Sequence, residues 1–207
     1  MNQERKEQLL TTIDRLGIAK IKHLLKIHND LRSYRNACRV VRELEPYTHQ
    51  TFHDREKIIY LNKEGRQLIG SSKEVKKSPL IDHTLLRNEV YLYFNCPMDW
   101  RTEHALSIEQ EQPTKLQIMV GDKSIKPTKK VVADAVFNRN GYFNLVEIDN
   151  TRKMIDNKKK IELYREIMPS LHVPKLYFFT TSEDRKRKLE KWLEGMRAEV
   201  KTFGEIL

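Results

Sequence analysis

The sequence predicts an α+β protein of two domains: a helical first third ending in a β-hairpin, then a longer α/β region with a mixed sheet. Three observations carry that expectation. Apolar residues recur at helical spacing as far as Leu44 and then give way to two short β-rich runs. The stretch GSSKEVKKSP, residues 70–79, is polar, small at one end and closed by proline, as linkers are. Beyond it, strand-like and helical segments follow in the order α-β-β-β-α-β-α. The implied boundaries are 1–70, a linker over 71–79, and 80–207.

In the first domain, Leu9, Ile13 and Leu16 mark one helix face and Gly17 closes that helix. Ile18, Ile21, Leu24, Leu25 and His28 mark a second helix, ending at Asn29-Asp30. Ser33 can cap a third, with Tyr34, Ala37, Val41 and Leu44 on its core face and Pro46 as its stop. Tyr47–His53 and Lys57–Leu61 flank Asp54-Arg55-Glu56 as a hairpin, and Asn62 caps a short helix through Ile69. In the second domain, Leu80–Phe94 reads as a helix and Met98–Ile108 as extended chain. Residues 109–130 read as a polar loop around an unassigned run, Leu116–Val120. Val131–Phe137 and Tyr142–Ile148 are strands joined at Asn138-Arg139-Asn140-Gly141. Thr151–Met168 reads as a helix, Leu176–Phe179 as a buried strand. Ser182 caps a last helix carrying Leu189, Trp192, Leu193, Met196, Val200 and Phe203 on one stripe.

Composition narrows the function. The 207 residues hold 39 Lys+Arg against 29 Asp+Glu, a formal charge of +10. No window of about 18 apolar residues suggests a membrane span, and the charged start MNQERKEQLL lacks the pattern of a secretory signal. Two cysteines, Cys38 and Cys96, form no disulfide framework or zinc motif, so a reducing, cytoplasmic location is expected. Residues 1–77 hold 17 Lys+Arg and 10 Asp+Glu, a net +7, against +3 for the rest. Three helices and a hairpin are the winged-helix arrangement, in which the third helix enters the major groove. On that helix Arg35, Arg39 and Arg42 recur away from the core face, with Arg32 just before them. Such a stripe can contact the phosphates of double-stranded DNA and read guanine edges, and Asn36 could read adenine. The stretch IIYLNKEGRQLI, residues 58–69, resembles the wing-to-last-helix sequence of many winged-helix regulators. A solvated charged face and a protein-interaction module are the plainer alternatives. His23, His28, His49 and His53 are read as structural or surface histidines.

In the second domain the informative stretch is VVADAVFNRNGYFNLVEID, residues 131–149. Asp134 interrupts one apolar run and Glu147 lies near the end of the next. Burying such charges is costly unless they are paired, protonated or bound to a cation. Two carboxylates on adjacent strands could hold a hard divalent ion through oxygen ligands. The order of elements, with Ala133-Asp134 and Glu147-Ile148-Asp149, resembles the PD-(D/E)xK restriction-endonuclease-like core. The nearer resemblance is to the replication-relaxation family of plasmid and mobile-element proteins from Gram-positive bacteria. It rests on Trp100-Arg101-Thr102-Glu103, Ala133-Asp134-Ala135-Val136, Leu145-Val146-Glu147-Ile148-Asp149, and Lys160 with Tyr164, behind a winged helix.

The resemblance implies a DNA-binding protein acting in replication, relaxation or transfer, with a nuclease-like second domain supplying further DNA contact or a dimer surface. It implies Asp134 and Glu147 as catalytic acids and as ligands for Mg²⁺ or Mn²⁺. Glu89 would be an accessory acid, or Glu103 would line the site instead. The superfamily's lysine, two residues after the second acid, is Asp149 here, and Ala133 replaces the usual proline. Standard catalysis is therefore not expected unless Lys160, which shares a helix face with Tyr164, substitutes. Without the lysine, Asp134, Glu147 and Asp149 read as relics of a nuclease fold. Lys158-Lys159-Lys160 and Arg185-Lys186-Arg187-Lys188 read first as solvated faces and second as phosphate contacts. The alternatives are a metal-dependent endonuclease that cuts or nicks DNA, and a protein-binding adaptor in a DNA-processing complex. A homodimer and replication or transfer proteins complete the partners considered.

Overall fold

The computed structural model describes residues 1–75, 80–109, 128–150 and 152–207. The run Leu116–Val120 and part of the expected linker lie outside them. Contacts divide the chain into two compact units, Met1–Cys96 and Pro97–Leu207.

The first unit opens with α1 (Gln3–Leu16), capped by the Asn2 side chain and closed by Gly17 at φ 75°. A short strand β1 (Ala19–Lys20) leads into α2 (Ile21–Ile27) and a 3₁₀ turn, Asn29–Leu31. Ser33 caps α3 (Tyr34–Glu43) by accepting from the Asn36 N–H. The core face of α3 is Ala37, Val40 and Val41; Tyr34, expected there, is 59% exposed because it sits at the first helical position, ahead of that face. Strands β2 (Thr48–His53) and β3 (Glu56–Leu61) pair antiparallel, and β3 also takes β1, giving the order β1-β3-β2. Asp54 and Arg55, both at positive φ, make the tip of the hairpin.

Asn62 then caps α4 (Lys63–Ile69), which needs a glycine at 65: a Cβ there would lie 2.1 Å from the Tyr47 carbonyl oxygen. Helix α5 (Ile81–Tyr93) groups with this first unit, beyond the boundary expected at 71–79. It packs Leu85 and Ile81 against Ile18, Ile58 and Tyr60. Asn88 donates to the Ile18 carbonyl at 2.6 Å.

The second unit is a five-stranded mixed sheet, ordered β4-β5-β6-β7-β8. Strands β4 (Arg101–Glu109), β5 (Thr128–Arg139) and β6 (Tyr142–Asp149) run antiparallel; β7 (Pro174–Thr180) and β8 (Ala198–Thr202) continue parallel to β6. Asn140 and Gly141, both at positive φ, form the two-residue turn between β5 and β6. Helices α6 (Met154–Ile167) and α7 (Glu183–Trp192) pack into a core with Leu145, Leu176, Phe178 and Val200.

The last helix ends eleven residues before Phe203, where it was expected to reach. Gly195, at φ 78°, turns the chain, and Val200 and Thr202 enter the sheet as part of β8. The stripe Leu189–Phe203 is thus shared between a helix and a strand, and its mixed spacing concealed the break. No helix among the described residues is long and apolar enough to cross a membrane.

Candidate functional site

Two constellations concentrate the chemistry, one in each unit. In the first unit, Arg32, Arg35, Arg39 and Arg42 are all exposed. Arg32, at φ 58°, ends the 3₁₀ turn before α3. An open concavity on α3 is lined by Ser33, Arg35, Asn36, Cys38, Arg39 and Arg42. Arg35 and Arg42 make no side-chain hydrogen bond or ion pair among the described residues. Arg39 is held. Its Nη2 donates to Asn36 Oδ1 at 3.0 Å, and its Nη1 lies 3.4 Å from Glu43.

Asn36, in turn, donates through Nδ2 to the Leu31 carbonyl at 2.9 Å. Both ends of that amide are engaged, so in this conformation Asn36 positions Arg39.

The same unit contains a buried polar cluster that the sequence did not announce. His23, fully buried, accepts from the Lys20 N–H at Nδ1, which leaves Nε2 to donate to Glu89 at 3.1 Å. Lys22 and Lys26 also reach Glu89, at 2.7 and 3.7 Å. Burial pushes the Glu89 carboxyl up, but hydrogen bonds from His23 and Lys22 outweigh it and hold the group at about 2. Glu89, expected as an accessory acid, therefore spends its carboxylate on α2. At the hairpin tip His53, Asp54 and Asp82 bring their ligand atoms within 4.8 Å, with His53 Nε2 already 2.6 Å from Asp82. His49 lies against Tyr60, and His28 meets Thr12 at 2.9 Å.

In the second unit the expected residues do converge. The register sets Ala135 opposite Val146, and one step further brings Asp134 beside Glu147. The ladder breaks there: Asp134 Oδ2 accepts the Ile148 N–H at 2.7 Å. Glu103 on β4 falls between the pairs Thr102–Ala135 and His104–Ala133, at the register position of Asp134, and has φ 53°. Positive φ in a non-glycine strand residue is strained backbone, a feature that clusters at functional sites. Glu103 itself is exposed.

Glu147 is 1% exposed, with both oxygens taken: Lys160 Nζ donates to Oε2 and Tyr164 OH to Oε1, each at 2.5 Å. Arg152 Nη1 stands 3.8 Å from Oε2. Burial, with the charge of Asp134 added, pushes the Glu147 carboxyl up to about 8 against the pull of Lys160 and Tyr164. Burial and the same carboxyl raise the Tyr164 phenol.

Asp149 is a separate knot. Arg185 grips both its oxygens at 2.7 and 2.5 Å, while Thr180 and Asn157 each donate at 2.7 Å. Burial raises this carboxyl, but the Arg185, Thr180 and Asn157 bonds win and hold it below the usual range. Lys186 and Arg187 are paired as well, with Glu205 and Asp184, which weakens the expectation that this run contacts phosphate. Arg152, Arg185, Asn157 and Thr180 were not expected at these acids; they lie 5 to 36 residues from them, and no local pattern marks them.

A divalent ion, which the fold resemblance implies at Asp134 and Glu147, fits these residues poorly. Hard cations need several accessible oxygens and keep water. Here one acid is sealed from solvent with each oxygen on a donor, and two cationic heads already face the pair.

No curated protein matches the chain. Among solved structures, protein VC1899 from Vibrio cholerae aligns at 12% identity with a TM-score of 0.36, over 95% of this chain and 48% of that one. The chain thus spans about half the length of that protein. The family model described as Replication-relaxation matches residues 10–177, from within α1 to β7, and so takes in both α3 and the Asp134–Glu147 cluster. The chain belongs to the Replication-relaxation family.

Proposed function

We propose that this protein binds double-stranded DNA of a plasmid or related mobile element and acts in its replication, relaxation or transfer. In this reading the first unit is a winged helix: α3 is the groove-facing helix and the β2–β3 hairpin is the wing. The observation that carries the reading is the exposed guanidinium stripe of α3, in which Arg35 and Arg42 pair with no acid among the described residues. Guanidinium groups so placed contact phosphates and, where they reach a base edge, guanine. The family supports the biological setting. The second unit is then a restriction-endonuclease-like core that lacks the standard lysine. It supplies further DNA contact or a dimer surface.

A gel-shift series against the origin region of the protein's own element, at several salt concentrations, tests this. Binding should weaken steeply with salt, because each phosphate contact releases counterions. Arg35→Ala, Arg39→Ala and Arg42→Ala together should lower both affinity and salt slope while leaving the circular dichroism spectrum intact. Absent binding, or binding with no salt slope, overturns the reading.

A metal-dependent endonuclease is the second reading, favoured by the convergence of Asp134, Glu147 and Lys160. Its test is nicking of supercoiled DNA with Mg²⁺ or Mn²⁺, wild type against Glu147→Ala. Equal cutting by both, or none, removes it.

A further inference from the structure

The sheet break at Asp134 gathers two carboxylates and two cationic side chains in one buried corner, at the point where nuclease-like cores place a metal. We infer that the Lys160 ammonium is a tethered counter-ion that takes, at Glu147, the place a divalent cation would need. This goes beyond the DNA-binding reading, which rests on α3 and stands or falls separately.

Four observations combine. Lys160 Nζ is 2.5 Å from Glu147 Oε2, the oxygen that points toward Arg152 at 3.8 Å. The second oxygen of Glu147 is held by the Tyr164 hydroxyl at 2.5 Å. One oxygen of Asp134 accepts the Ile148 N–H at 2.7 Å, so that acid is pinned to the β6 backbone. Finally, Glu147 is 1% and Asp134 8% exposed, which leaves no room for the waters that complete the shell of a hard ion. Adding a divalent cation beside the Lys160 ammonium and the Arg152 guanidinium would crowd like charges around a buried acid, which is costly. The lysine neutralises Glu147 as an ion would, but it has no open coordination position. The corner is therefore closed to divalent ions for as long as Lys160 keeps its charge.

The consequence is a gain of function on removing the lysine. Lys160→Met keeps the aliphatic stem and deletes the charge; Lys160→Gln keeps a donor for Glu147 and also deletes the charge. Thermal unfolding of the full-length protein is followed with and without millimolar Mn²⁺, the metal alone. The wild type should not shift. Either variant should rise by roughly 3 °C or more once Mn²⁺ exceeds its Kd about tenfold. Asp134→Asn in the Lys160→Gln background should abolish that rise and so assign it to this corner. If Lys160→Met fails to fold, Lys160→Gln decides. Stabilisation of the wild type by Mn²⁺ that Asp134→Asn removes would overturn the inference, as would variants that show no rise.

Discussion

Asn36 and Glu147 show how much a single side chain decides here. With its amide shared between the Leu31 carbonyl and Arg39, Asn36 fixes one guanidinium of the stripe in space. Asn36→Ala should therefore weaken DNA binding to about the same degree as Arg39→Ala, on the order of tenfold. The double variant should add little, since the two act as one unit. A double-mutant cycle measured by fluorescence anisotropy checks this; additive losses would show that Asn36 contacts DNA on its own account. Glu147 is a stability matter. Glu147→Ala strands a buried ammonium and a buried phenol and should cost about 3–5 kcal/mol in urea titrations. Glu147→Gln, which keeps one acceptor oxygen for Lys160 or Tyr164, should cost less. The sequence displayed Asp134, Glu147 and Lys160, because charges inside apolar runs are conspicuous and Lys160 lies one helical turn before Tyr164. It concealed the partners Thr180 and Arg185 of Asp149, because a hydrogen bond between residues far apart in the chain leaves no local pattern.

Element by element, the legible parts were those with local signals: caps at Ser33, Asn62 and Ser182, and turns at Asp54-Arg55 and Asn140-Gly141. Strand β8 was hidden because its apolar residues continue the stripe of α7. The placement of α5 was hidden because it depends on Glu89 meeting His23, 66 residues away. That contact makes a testable pH dependence. Glu89 is held at about 2 in the folded protein, below the ordinary 4.5, so its stabilising share is complete above about pH 4.5 and is lost as pH falls toward 2. Urea midpoints at pH 6 and pH 3 should differ less in Glu89→Gln than in the wild type. At α4, Gly65→Ala drives a methyl into the Tyr47 carbonyl and should cost about 1–3 kcal/mol, read from the same titrations. The resemblance of residues 58–69 to winged-helix sequences thus has a steric reason at one position.

At the scale of the whole molecule, two compact units share the chain, and the excess positive charge belongs mainly to the first. A fragment covering residues 1–96 should melt cooperatively and retain salt-sensitive DNA binding. A fragment ending at residue 70 should be markedly less stable, because it loses α5 and uncovers Ile18 and Ile58. Differential scanning calorimetry of both fragments checks this. The second unit carries a different implication, which concerns routes by which the sequence can change. Asp149 joins β6, β7, α6 and α7 through Thr180, Asn157 and Arg185 at a single carboxylate. Replacing it by lysine, the residue a standard nuclease core has there, would set two cations face to face and leave Thr180 and Asn157 without their acceptor. Asp149→Lys alone should therefore not give a well-folded protein. The charge at position 185 would have to change with it, so the knot works as a one-way gate in the sequence space of this fold.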